Sequence, residues 1–460
     1  MQRRFTFYLF TLMLIGLSTF QAFAQQPQFT NLGTLSSPRW LHATLEHNNY
    51  FYFAGGIDSV IDAVTARFSG TMDVYDANSG QLKTYPMPLA NDFGRMFVYN
   101  DQACLTGGLD QNGNRIRDIW CFDLQTEQFN LLTTLPQRIP DVNRIAQLGN
   151  EIIIIEDSVY SWILDSSMID TNNIQAFPRP IEFGANLVFQ QEVVQDGNYI
   201  ILSDDTTGMN IKIYVLDLAA KTWQVSNNTP DQLFSMGIAL VSDTLYLFGG
   251  LDPSSGFIFN AATGYDLASN QFFSLPNLPL FQGFGNWAAP LGGKIYLGGG
   301  FDQVIDSLGG FGNTIQVFDI ASKSYDPSML THHLHDAITP LYNEERLVLG
   351  GAGNFAIGPG VPLDGLEELV LNGPASTIEV LALPDLKLYP NPSSGLIQIE
   401  WPRAANQQMI LFDQNGRKVW QDRLLSSFQE VDLSKLSSGF YWLSIDTEKG
   451  RYYHKISIKK

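Results

Sequence analysis

Six aspartates occupy matched places in repeated loops. Asp58, Asp110, Asp252 and Asp302 each follow a Gly-Gly pair, and Asp62 and Asp306 lie four residues further on in the near-identical stretches GGIDSVID and GGFDQVID. Carboxylates gathered on one rim would suit Ca²⁺ or sugar hydroxyls. The simpler reading is that each Asp caps its own turn by accepting backbone N–H groups. His332, His333 and His335 in THHLHD form the one histidine cluster, and with Asp336 they offer donors for a transition metal. Asp110-Gln111-Asn112-Gly113-Asn114 looks like half a calcium loop, but its glycine comes too early for an EF-hand. Cys104 and Cys121 are the only cysteines. Folding DQACLTGG back onto DIWCFD with Gly107 facing Asp118 sets them opposite one another, at the spacing of a cross-strand disulfide. The alternative is two small buried hydrophobes. No GxSxG, HExxH or P-loop is present, so no catalytic residue is assigned. No cofactor is evident, with Ca²⁺ the one candidate.

The elements that would hold these groups repeat. Gly-Gly recurs at Gly55-Gly56, Gly107-Gly108, Gly249-Gly250, Gly299-Gly300 and Gly350-Gly351, each time after an alternating apolar run such as YFYFAGG, LYLFGG or RLVLGG. A second signature, VYDANSG, CFDLQTEQF, VLDLAAKTW, GYDLASNQF and VFDIASKSY, carries an Asp for a tight turn. In four of these an aromatic follows six residues later, at Phe129, Trp223, Phe272 and Tyr325. The long gap between Gly107 and Gly249 holds two weaker units around EIIIIEDS and YIILSDDT. Seven units of about fifty residues, with six as the alternative count, give an all-β chain built from four-strand blades.

These residues resemble the kelch repeat. The unit PRWLHATLEHNNYFYFAGG…MDVYDANSGQLKTYPMP matches its R-x-x-H, apolar strand, Gly-Gly and aromatic-Asp order. The resemblance covers about residues 28–384 and implies a kelch-type β-propeller over 25–385. The last blade ends at STIEVLALP without a fourth strand, which the N-terminal QFTNLGTL would supply. The loops after the glycine pairs would then share one rim. Some propellers of this kind are copper oxidases with a Cys–Tyr thioether, and here both cysteines fall in one blade.

At Leu386 the texture changes to LKLYPNPSSGLIQIEW, followed by a hairpin around Asn415-Gly416 and two further strands, as in an Ig-like β-sandwich. Residues 386–460 resemble the type A sorting domain of the type IX secretion system. The resemblance rests on Pro390, Asn391, Pro392, Gly395, Gly439, Tyr441 and the basic end Lys455, Lys459 and Lys460. It implies contact with that secretion machinery and delivery outside the cell.

Residues 1–24 read as a signal peptide: Arg3 and Arg4, an apolar run from Phe5 to Phe20, and a small-x-small site that places cleavage between Ala24 and Gln25. No other apolar stretch is long enough to span a bilayer. The chain has 27 Lys+Arg against 46 Asp+Glu, a net charge of −19. The acidity lies before Leu386, because the tail holds 11 basic and 7 acidic residues. An acidic body repels phosphate backbones and argues against nucleic acid. The expected function is recognition of an extracellular glycan or protein by one rim at the cell surface or after release. The alternatives are a sugar-active enzyme resembling mutarotases or epimerases of kelch fold, and a structural surface adhesin.

Overall fold

The computed structural model describes residues 28–371 and 386–460, apart from 62–65, 138, 140, 141, 143, 156–157, 165–169, 179, 181–190, 196, 205–210, 253–254, 303–309, 312, 336–337, 355–360, 402–406, 413–417 and 448–449. The leader with its Ala24-Gln25 site, the loop aspartates Asp62 and Asp306, and the segment STIEVLALP lie outside the described residues.

Almost all regular structure is antiparallel β. Sheet 1 runs Ala43–His47, Tyr50–Ala54, Thr71–Asp76 and Gln81–Pro86, each strand pairing with the next. Sheet 2 repeats this with Arg95–Tyr99, Gln102–Thr106, Asp118–Asp123 and Gln128–Thr134. Sheets 3 and 4 begin at Ile145–Leu148 and Gln191–Gln195, and sheets 5 and 6 at Gly237–Val241 and Gly283–Leu291. Sheet 7 has Leu341–Tyr342, Arg346–Asn354 and Val361–Val370, with the N-terminal Thr30–Thr34 as its outer strand. Its third strand is therefore GLEELV and its flank rather than STIEVLALP. Leu366 and Leu369 are fully buried there, so this run supplies the inward side chains.

The cores lie between sheets rather than within them. One buried cluster joins sheets 1 and 2 through Tyr52, Val74, Leu105 and Phe122. Others join sheets 2 and 3, 3 and 4, 4 and 5, 5 and 6, and 6 and 7. A further cluster, with Phe51, Phe53, Val348 and Leu366, joins sheet 7 to sheet 1. Stacked sheets bury both faces this way, which is why the second strands are almost wholly apolar.

The Asp signature builds the turn between third and fourth strands. Asp217 accepts the Ala219 and Ala220 amides at 2.9 and 2.8 Å, and Asp319 accepts the Ser322 amide at 2.8 Å. The residue before each Asp then pairs across the hairpin with the aromatic six positions after it. The ring centroids of Tyr265 and Phe272 are 5.0 Å apart, and those of Phe318 and Tyr325 are 5.3 Å apart.

Cys104 and Cys121 pair directly across sheet 2 and are joined by a disulfide spanning 17 residues. Replacing both with Ala is expected to lower stability by about 2–3 kcal/mol, the loop-closure entropy returned to the unfolded chain. Chemical denaturation of the pair variant measures it. An unchanged midpoint would show that the cross-link contributes nothing.

Residues 386–458 form a separate cluster that joins two sheets. One is Lys387–Tyr389, Leu396–Glu400 and Phe428–Asp432; the other is Lys418–Leu424, Gln407–Phe412, Gly439–Thr447 and Gly450–Ile458. Among the described residues no helix is long and apolar enough to cross a membrane.

Candidate functional site

Four-strand antiparallel sheets have two kinds of end. Within each sheet the connections from strand 1 to 2 and from 3 to 4 lie at one end, called a rim below, and those from 2 to 3 and from 4 to the next sheet lie at the other. At the first, the turns between third and fourth strands are capped by their own aspartates, as at Asp76, Asp123, Asp217, Asp266 and Asp319. The second, the glycine rim, carries the Gly-Gly pairs.

The glycine pairs are needed for close approach. A Cβ on Gly107 would lie 2.2 Å from the Val142 carbonyl oxygen, and one on Gly249 would lie 1.9 Å from that of Gln282, both in the segment leading into the next sheet. The second glycine of the pairs in sheets 1, 2, 5 and 6 faces its own lead-in: a Cβ on Gly108 would lie 1.6 Å from the Asp92 oxygen. In sheet 7 it is Gly351 that meets the next lead-in, at 2.6 Å from the Arg39 oxygen.

These contacts align the lead-in segments. Trp40 and Phe234 make the same bridge to Ile57 and Leu251, and the carbonyls of Asn91, Gln282 and His335 face the first glycine of the preceding sheet. Arg39, Leu233, Gln282 and His335 therefore correspond. In three sheets this residue meets a polar side chain on the third strand. Arg39 is fully buried and its Nη2 donates to Asp73 Oδ2 at 2.6 Å, while Nη1 donates to the carbonyls of Phe53, Gly55 and Thr71. Gln316 Nε2 donates to Gln282 Oε1 at 3.0 Å. His335 Nε2 lies 3.1 Å from Glu367 Oε1.

The His cluster is thus organised around Glu367, a fully buried carboxylate that sequence reasoning missed. Glu367 accepts the backbone amides of His332 and His333 at 2.8 and 2.6 Å, and His332 Nδ1 lies 2.7 Å away. Burial alone would raise this carboxyl, but the bonds from His332 and His335 outweigh it and hold the group at about 2. His333 is lowered, first by burial. His42, the histidine of R-x-x-H, is buried and pushed down to about 3 by burial and then by the Arg39 charge, so it is neutral. Among the described residues no three His, Cys, Asp or Glu side chains are grouped to hold a metal ion.

The described loop aspartates are engaged locally. Asp58 accepts from Arg67 Nε at 2.7 Å and from Ser59. Asp110 Oδ1 accepts the amides of Asn112 and Asn114, and its Oδ2 accepts from the Asn114 side chain. These bonds hold Asp110 below the usual carboxylate range. Asp252 Oδ2 accepts from Ser255 Oγ at 2.6 Å. Asp302 lies in a strand, its backbone paired with Gly310.

The glycine rim exposes polar loop residues such as Gln111, Asn112 and Asp231, and with them most of the exposed large apolar side chains. Ile61, Leu89, Phe93, Phe257, Phe259 and Phe281 all lie in its connections, and all are exposed. Before residue 386 only Leu131 and Ile163, on sheet strands, join them among the described large hydrophobics. Phe259 lines a cleft of about 330 Å³ at the rim end of sheet 5, together with Asp231, Asn260, Thr263, Phe273 and Asn277 among others. Phe281 leads into sheet 6, and the next residue, Gln282, donates its amide to the Phe259 carbonyl at 3.4 Å. No single residue type signalled this cleft. The available signal was the exchange of the polar pair, Arg39 with Asp73, for Leu233 with Thr263.

In the tail, the motif residues tie the first loop to the last strand. Asn391 Oδ1 accepts the Ser457 amide at 2.8 Å, and the Lys459 amide donates to the Ser393 carbonyl at 2.8 Å. The peptide bonds before Pro390 and Pro392 are cis. A Cβ on Gly395 would meet the Ser434 backbone at 2.6 Å. Gly439 begins the strand in which the Tyr441 hydroxyl donates to the Ser437 carbonyl at 2.9 Å, and Lys455 lies in the last strand. Lys460 Nζ donates to the Ser434 carbonyl at 2.6 Å.

Among solved structures, the chain is similar to a fungal alcohol oxidase, described as showing catalytic diversity among the AA5 family and solved in complex with copper. The TM-score is 0.52 at 12% identity, over 95% of this chain and 100% of that one. At that identity the likeness concerns the fold alone. Residues 387–459 match the model of the secretion system C-terminal sorting domain. The chain therefore carries a type IX sorting domain at its C-terminal end, and the protein is exported to the outer cell surface or released from it.

Proposed function

We propose that residues 25–385 form a seven-bladed kelch-type propeller, followed by an Ig-like sorting domain over 386–460. Its glycine rim is an extracellular binding surface, and its ligand is a glycan. Seven sheets built on a four-strand order, one with a short fifth strand, have a core between each consecutive pair, the last pair joining sheet 7 to sheet 1, and support the propeller. The observation that carries the binding reading is the concentration of exposed Phe and aliphatic side chains on one rim only. Soluble proteins keep such groups scattered unless a partner uses them, and aromatic faces beside polar groups suit sugar rings. An aromatic, shallow rim favours binding over catalysis.

Copper oxidation of the kind named for the structural neighbour has less support. Both cysteines are joined to each other, so neither is available for a thioether to tyrosine.

The test is a glycan array probed with the mature chain, with calcium and again with chelator. Selective binding is expected, and because Asp58, Asp110 and Asp252 are engaged in their own loops it should persist in chelator. Loss of all binding in chelator would return the site to the loop carboxylates. A blank array would contradict the glycan.

A further inference from the structure

We propose that the cleft at the rim end of sheet 5 is a subsite for a single neutral or amino-sugar residue. The inference rests on the binding reading above and narrows it to one place and one ligand class. In sheets 1, 6 and 7 the equivalent space is filled by a long polar side chain reaching the third strand: Arg39 to Asp73, Gln282 beside Gln316, and His335 to Glu367. In sheet 5 the two positions are Leu233 and Thr263. Leu233 turns into the core between sheets 4 and 5 and is buried there. Thr263 is too short to fill the gap, and its hydroxyl donates to the exposed Asp231 at 3.2 Å. The volume left, about 330 Å³, is at the small end of ligand clefts and leaves room for a sugar residue.

The walls suit a saccharide. Phe259 stands exposed at the mouth and offers a ring face for C–H groups. Asp231, Asn260 and Asn277 offer acceptors and amide donors along the lining. The Asn260 amide nitrogen is fixed by the Leu278 carbonyl at 3.0 Å, which orients its oxygen. Asp231 is the one charged side chain among the lining residues. A carboxylate there repels uronic and sialic acids and favours hydroxyls or a protonated amine. The overall charge of −19 acts in the same direction.

The test uses the mature full-length chain and saturation-transfer NMR, followed by calorimetry, with a panel of neutral hexoses, glucosamine, N-acetylglucosamine and glucuronate. Neutral or amino sugars are expected to bind and glucuronate not to. Phe259→Ala and Asp231→Asn should each weaken binding by roughly tenfold or more, the size of a stacking contact or a charged hydrogen bond. Leu131→Ala, on an outer strand away from the rim, should leave it unchanged. All three positions are exposed, so thermal melts are expected to match the parent. Sugar binding that survives both cleft substitutions overturns the subsite and leaves the rim reading standing. Binding of no sugar in the panel overturns the subsite, and the array then decides the rim independently.

Discussion

Gly249→Ala is expected to destabilise the protein by about 3–5 kcal/mol. The added methyl would lie 1.9 Å from the Gln282 carbonyl oxygen, and that oxygen belongs to the backbone. A flexible side chain could swing aside, but here the whole lead-in to sheet 6 would have to retreat. The Gly250 amide donates to the same carbonyl at 2.8 Å, so retreat also costs that bond. Residue 249 has φ +65°, the left-handed region, which adds roughly 1 kcal/mol for a residue with a Cβ. Overpacking supplies the remaining few kcal/mol. Chemical denaturation reads the effect directly. A loss below about 1 kcal/mol would mean that neighbouring sheets are not held at the spacing described.

The second large effect lies in sheet 7. Glu367→Ala leaves two backbone amides and the His335 ring without their acceptor in a fully buried place, at a cost of about 3–5 kcal/mol. The same carboxylate makes the fold acid-labile. Its folded value, about 2, lies below the 4.5 of the unfolded group. Its contribution is therefore full above about 4.5 and is lost as the pH falls from there towards 2, amounting to about 3 kcal/mol. Asp92 runs the other way. Burial raises it from 3.8 to about 6, so its folded form gains protons first and favours folding as the pH drops between those values. Comparing stability–pH curves of the parent and Glu367→Gln isolates the Glu367 part. The parent curve should fall below pH 4.5 and the variant curve should be flatter there. Parallel curves would contradict a stabilising ionised Glu367.

Much of this was legible from spacing. The glycine pairs mark the ends of second strands because only a residue without a Cβ fits against the neighbouring lead-in. The turn aspartates and their aromatics six positions on stand out because a tight hairpin fixes both capping and cross-strand pairing. The facing of Cys104 and Cys121 followed from the register of one hairpin, and the structure adds the bond between them. Sheets 3 and 4 were faint for a physical reason. Their second strands, EIIII and NYIILSD, are as buried as the others but lack the glycine pair, so only apolar content announces them.

Three features were hidden. Glu367 carries no sequence signal of its own and faces inward because its partners arrive from 32 to 35 residues earlier in the chain. The histidines looked like metal donors for the same reason: the carboxylate they hold is remote in sequence. The cleft in sheet 5 is an absence, the loss of a long polar side chain at Leu233 and of its partner at Thr263, and absences leave no motif.

Hydrogen–deuterium exchange on the mature chain, with and without the glycan selected on the array, tests the central claim most directly. Slower exchange is expected in peptides spanning Phe257–Asn260 and Asn277–Gln282, with none in the turns capped by Asp76, Asp123, Asp266 and Asp319 on the opposite rim. Protection confined to those turns, or to the sorting domain at 387–459, would contradict the assignment of the glycine rim as the binding surface.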